Sequence, residues 1–220
     1  MTIVGSVIST PTVSSLVETA ETVTFPQAGL TIVKILTNAS YVKIPIDASR
    51  NAVFPVAGGN PTNSTPEAQI SGTGRNVSLP INGTVLSYSV YALTTTPTTA
   101  FYYGSALQNA KPLSAYAGVT ATATLSGGSG TATWTFPSGG LKLVGITGTM
   151  GLAAASQVLQ LAFATSPGQT FTAFVLAGLV TQSKDSDDIL PMSLPVSQTV
   201  AVTISGGIGS DKVVIYAYYQ

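Results

Sequence analysis

The sequence predicts an all-β protein: an antiparallel β-sandwich of jelly-roll type, with long loops and at most one or two short helices. Three observations carry that prediction. Apolar residues and threonines alternate with a period of two over much of the chain, Gly and Pro stand at nearly every junction between alternating runs, and helical periodicity is confined to short stretches. With 220 residues, 45% of them apolar, the chain can bury a core without metal or disulfide staples.

Taken in order, strands are expected over residues 2–9, 30–37, 41–46, 85–93, 119–125, 131–136, 141–149, 158–164, 170–180, 199–205 and 212–219. The clearest is the pair Val119-Thr-Ala-Thr-Ala-Thr-Leu125 and Thr131-Ala-Thr-Trp-Thr-Phe136. These flank Ser126-Gly-Gly-Ser-Gly130 and read as a β-hairpin. Short helices are expected over 12–22 and over 152–161, where Ala153-Ala-Ala155 lies. Residues 57–78, rich in Gly and Pro and poor in apolar side chains, read as a long surface loop. The expected organisation is one domain over 1–220; the alternative is two β modules with a boundary within 104–118. No repeat with a period of 20 to 50 residues is visible, which excludes solenoid and propeller readings.

Charge is scarce: eight basic and eight acidic residues in the whole chain, for a net charge of zero. An ordinary soluble domain carries about 25% charged residues, and that charge keeps copies apart in water. A surface of Thr, Ser, Gly, Ala and Tyr favours association instead. The N-terminus has neither the basic nor the long apolar region of a secretory signal. No transmembrane span is expected, since the uncharged stretch 143–183 is interrupted by Thr147, Thr149, Gln157 and Pro167-Gly168.

The chain contains no His and no Cys. That removes Ser–His–acid triads, thiolate nucleophiles, disulfides and the His- or Cys-ligated metal sites, and the chain is not read as an enzyme. Ser40-Tyr-Val-Lys43 matches an S-x-x-K pattern. In a strand, however, positions three apart face opposite ways, so the pattern reads as a strand with one solvated lysine. The few carboxylates offer no spacing that marks a glycosidase pair. The acidic run Lys184-Asp-Ser-Asp-Asp188 is the one candidate metal site, with Asp185, Asp187 and Asp188 as oxygen ligands for calcium. It lacks the Gly and distal Glu of an EF-hand loop, and a solvated turn is the competing reading. No other cofactor is expected.

Four sequons, at Asn38, Asn63, Asn76 and Asn82, are candidate glycosylation sites. Only Arg50 and Arg75 are arginines and the lysines are scattered, so no direct nucleic-acid contact is expected. Tyr216, Tyr218 and Tyr219, in the last strand, are candidate interface residues, because Tyr offers a large apolar body with a polar tip.

The many short Thr/Val/Ala-rich strands, the long Pro/Gly loop 57–78 and the closing pair 199–205 and 212–219 around Gly206-Gly-Ile-Gly209 resemble one family in particular. It is that of the single jelly-roll capsid proteins of icosahedral double-stranded DNA viruses infecting archaea or thermophilic bacteria. The resemblance implies a coat subunit in a virion, partnered by copies of itself and by other virion proteins, with neutral surfaces buried between subunits. Two other roles fit the same composition: an extracellular filament or surface-layer subunit assembled by strand addition at the cell surface, and a virion spike or turret module binding host glycans through Tyr-rich loops.

Overall fold

The computed structural model describes residues 3–10, 17–55, 75–92, 98–104, 112–150, 157–165, 168–179 and 190–220. Among them are sixteen strands and one short 3-10 helix, Leu113–Tyr116. The first eight strands are β1 (Ile3–Ser9), β2 (Glu18–Thr24), β3 (Thr31–Thr37), β4 (Tyr41–Pro45), β5 (Asn51–Pro55), β6 (Arg75–Pro80), β7 (Val85–Tyr91) and β8 (Thr99–Gly104). The second eight are β9 (Gly118–Thr124), β10 (Gly130–Thr135), β11 (Lys142–Met150), β12 (Gln157–Ala164), β13 (Thr170–Leu179), β14 (Leu190–Pro195), β15 (Thr199–Ser205) and β16 (Lys212–Tyr219). The protein is all-β and, with one short parallel exception, antiparallel.

Strands β1 to β8 form two four-stranded sheets, in the orders β1-β8-β3-β6 and β2-β7-β4-β5. The pairing is nested: first with eighth, second with seventh, third with sixth, fourth with fifth. Such an order arises when one long antiparallel ribbon folds over on itself, and it is compatible with the expected jelly roll. Alternation decides which side chains enter the core. Val23, Phe25, Ile32, Ile35, Val42, Phe54, Leu79, Tyr88 and Phe101 are buried between the two sheets.

The second eight strands repeat this plan with every number raised by eight. Their larger sheet consists of the runs β9-β16-β11-β14 and β10-β15-β12-β13, joined where β11 and β13 run parallel at Gly148–Met150 and Ala177–Leu179. A separate core lies inside it, built on Trp134, Phe136, Ile146, Leu159, Val202 and Ile215. Detail is repeated too. In β3 an irregularity between Ile32 and Lys34 displaces Val33, against both β6 and β8. In β11 the same irregularity falls between Leu143 and Gly145, at Val144, against both β14 and β16. An extra residue in one strand turns its side chain away from the alternation. Accordingly Val33 and Val144 leave the inner cores and join the apolar groups on the outer faces.

Superposed strand for strand, the sequence repeats as well. Thr22-Val-Thr-Phe-Pro-Gln-Ala-Gly-Leu-Thr-Ile-Val-Lys-Ile35 aligns with Thr133-Trp-Thr-Phe-Pro-Ser-Gly-Gly-Leu-Lys-Leu-Val-Gly-Ile146, eight of fourteen positions being identical. Ser78-Leu-Pro-Ile-Asn-Gly-Thr-Val85 aligns with Ser193-Leu-Pro-Val-Ser-Gln-Thr-Val200. The physical roles coincide. Gly29 and Gly140 both hold left-handed backbone, at φ 75° and 78°, and each N–H reaches across the sheet, to the carbonyl oxygen of Ile81 and of Val196 respectively. Phe25 meets Tyr103 edge-on at 5.7 Å, and Phe136 meets Tyr219 edge-on at the same distance. The spacing of about 111 to 115 residues lies far outside the roughly 20 to 50 residues of a solenoid repeat.

Several local expectations are corrected. The helix expected over 12–22 is strand β2 from Glu18 onward, where exposed and half-buried residues alternate. Residues 157–161 of the second expected helix belong to β12; in both places cross-strand pairing overrides local propensity. The loop expected over 57–78 gives way to β6 at Arg75. Strands 119–125 and 131–136 do not form a ladder. β9 pairs with β16 and β10 with β15, and only the turn bridge Ser126–Ser129 joins them. The connection is a corner between facing sheets. Alternation then aims Ala121 and Ala123 at the same core as Ala132 and Trp134 from opposite sides.

Candidate functional site

The surface that couples the two sets of strands is built from β4, β5 and β7 on one side and β16 on the other. Tyr41, Val53 and Tyr91 project from the outer face of the β2-β7-β4-β5 sheet and bury against Val214, Tyr216 and Tyr218 from the outer face of β16. Tyr41 and Tyr91 stack, with ring centroids 5.3 Å apart and planes 7° from parallel, and Tyr216 meets Tyr41 edge-on at 6.1 Å. The polar tips find backbone partners. Tyr216 Oη donates to the carbonyl oxygen of Ser40 at 2.7 Å, and Tyr218 Oη donates to that of Val53 at 3.1 Å. Thr149 Oγ1 lies 2.9 Å from Tyr216 Oη and, since that phenol proton is already committed to Ser40, is the donor of the pair. Burial raises the Tyr216 phenol well above its ordinary value, outweighing the opposing effect of the Thr149 hydrogen bond.

Tyr41 carries this contact outward to the Glu18–Lys43 ion pair. Glu18 Oε2 accepts from Tyr41 Oη at 2.8 Å and from Lys43 Nζ at 2.6 Å, while Oε1 accepts from Ser89 Oγ at 2.7 Å. Burial pushes the Glu18 carboxyl up, but Lys43 and the two hydroxyls outweigh it and hold the group below its usual range. Tyr41 is pushed far up by burial and by the Glu18 charge beside it. Lys43 Nζ also stands 5.0 Å above the Tyr41 ring. An open groove of about 490 Å³ adjoins this cluster, lined by Glu18, Glu21, Thr22, Pro45, Ser87 and Ser89 among others. With three donors on Glu18, the cluster is a positioned ion pair that orients Tyr41.

The other expected residues fall as follows. Tyr216, Tyr218 and Tyr219 are interior, at 0%, 6% and 5% exposure, so their rings are not available to another subunit. The first two instead join the two halves of one chain, and Tyr219 packs on Phe136. Strand alternation hid this, because β16 is covered on both faces. Ser40 is buried and its Oγ has no hydrogen-bond partner among the described residues, while Lys43 pairs with Glu18. Asn82 is exposed in the turn before β7. Asn38 is half-buried and its Oδ1 accepts from the Thr98 N–H at 2.6 Å. Asn76 is paired opposite Lys34 in β6, and Asn63 lies outside the described residues. Asp185, Asp187 and Asp188 also lie outside them. Among the described residues no group of three potential carboxylate, His or Cys ligands converges, and no helix is long and apolar enough to cross a membrane.

Sequence reasoning missed Tyr41, Val53, Tyr91 and Glu18 as members of one site. The signal that could have found them is the internal repeat, which sets β8 and β16 in equivalent places and marks their outer faces as special. No protein-family model and no curated protein matches this chain.

Proposed function

We propose that the chain is a structural subunit of a viral capsid, made of two consecutive jelly rolls with the boundary within 104–118. The single observation behind this reading is the duplicated nested order: eight strands paired 1-8-3-6 and 2-7-4-5, then the same arrangement again. Two similar sandwiches fused side by side supply, within one chain, the kind of repeated contact from which a symmetric shell is built. The near-absence of charge supports it, because such surfaces are buried against neighbours without stripping water from many ions. The resemblance to single jelly-roll capsid proteins points the same way, with two such units here in place of one. The implied partners are copies of the chain and other virion proteins, and its place is the virion. We propose no catalysis and no resident metal or cofactor.

Electron microscopy of purified chain concentrated under native ionic conditions, and of the native particle, tests this. Closed shells carrying many copies are expected. Long fibres would replace the proposal with a filament or surface-layer subunit, and a few copies confined to shell vertices would replace it with a glycan-binding spike.

A further inference from the structure

We infer that the outer face of β12 and β13, centred on Phe174, docks head to tail onto the outer face of β1 in a second copy of this chain. The inference rests on reading the chain as a self-assembling subunit. It starts from the internal contact. There the outer face of β4 and β5 in the first half covers the outer face of β16 and β9 in the second, with Ala52 of β5 bridged to Ala117 just before β9.

Every strand of that contact has a counterpart eight strands away. The counterparts of β4 and β5 are β12 and β13; the counterparts of β16 and β9 are β8 and β1. Register places the equivalents residue by residue. Tyr41 and Val53 of the first half correspond to Gln160 and Thr172 of the second, and Phe174 lies directly opposite Gln160. On β1, Ile8 lies opposite Ala100, the counterpart of Tyr216.

The outer face of β12 and β13 and the β1 edge of the other face carry exposed apolar side chains that a water-facing sheet would not favour. Phe174 is 63% and Val158 51% exposed on one; Val4 is 69% and Ile8 38% exposed on the other. Around Phe174 the outward residues of β12, β13 and β15 are Thr, Ala, Ser and Gln, with no charge to oppose burial. On the β8 side, Val33, Leu36, Ala100 and Tyr102 are already buried, so the free part of that face is its β1 edge. Since the two surfaces differ, the contact is heterologous, and each copy keeps one surface of each kind for the next neighbour. A second copy is therefore the occupant that the internal contact specifies.

Sedimentation of Phe174→Asp, Ile8→Asp and a control, Ile208→Asp in an exposed loop, tests it. Melting curves check that each variant folds; all three sites are exposed, so the fold is expected to be retained. Wild type and Ile208→Asp are expected to form multiples of the 22.3 kDa chain, and Phe174→Asp and Ile8→Asp each to stay single. Mixed in equal amounts, these last two are expected to form a pair and nothing larger, because one retains each half of the contact. Assembly of Phe174→Asp as wild type overturns the inference alone, as does a mixture that stays single, which would mean the face packs on itself. A wild-type chain that stays single at high concentration overturns the subunit reading together with this one.

Discussion

Tyr216 and Ser40, 176 positions apart in sequence, are joined by a 2.7 Å hydrogen bond from the phenol to the main-chain carbonyl oxygen. The bond pins the last strand of the second half to the residue just before β4 in the first. Tyr216 has no exposure, so neither group has water to fall back on. Removing the hydroxyl leaves a buried carbonyl without its donor, at a cost of about 1–2 kcal/mol. Tyr216→Phe is expected to lower stability to urea by that amount. Tyr216→Ala removes the ring contact with Tyr41 as well and is expected to separate the unfolding of the halves. Trp134, the chain's one tryptophan, reports only on the second half. Its fluorescence midpoint is expected to part from that of far-ultraviolet circular dichroism in this variant, and coincident midpoints would count against the coupling.

Gly29 and Gly140 offer a paired test of the duplication. Each has positive φ and open space where a Cβ would be, so alanine at either site meets backbone strain without a clash. Gly29→Ala and Gly140→Ala are each expected to cost about 1 kcal/mol. Gly128→Ala is expected to cost more, since its Cβ would meet the carbonyl oxygen of Gly207. Equal midpoint shifts for the first pair and a larger one for the third are the expected calorimetric result.

Glu18 links stability to acid. Its folded carboxyl is held below the ordinary value, so its contribution is present above the usual carboxylate range and is lost as pH falls through the folded value. Thermal melts between pH 6 and about 3 are expected to decline less steeply in Glu18→Gln than in wild type. The side chain is 38% exposed and salt screens the pair, so the difference is expected to shrink in concentrated sodium chloride.

At the alkaline end the sign reverses. Tyr41 and Tyr216 have folded values above the ordinary phenol value, so their contribution is complete below about pH 10 and falls as pH rises beyond it. Ultraviolet titration is expected to show Tyr41 and Tyr216 ionising only together with loss of near-ultraviolet circular dichroism. Ionisation of all tyrosines in a single ordinary step, with the fold intact, would contradict the packing described for Tyr216.

Strand content was legible where alternation or an apolar run is cut off sharply. Residues 199–205 and 212–219 match β15 and β16 to the residue, because alternation in the first and an unbroken apolar run in the second are separated by Gly206-Gly-Ile-Gly209. β2 and β12 were misread as helical in part, since Glu, Ala, Gln and Leu are good helix formers and only ladder pairing with β7 and with β13 and β15 overrides them. The candidate site was legible only as a group of tyrosines. That Tyr216 and Tyr218 face Tyr41 and Val53 depends on two sheets meeting, and no local pattern encodes it.

By itself the sequence determined an all-β chain, poor in charge, without histidine or cysteine chemistry, cut into strands by Gly and Pro. These follow from side-chain alternation and backbone preference, which act over a few residues. Tertiary structure alone decided that β9 and β10 belong to facing sheets, which faces of the two eight-strand units meet, and that the last strand is interior. Pairing partners lie up to about a hundred residues apart, and the choice among them is made by which apolar faces can be buried together.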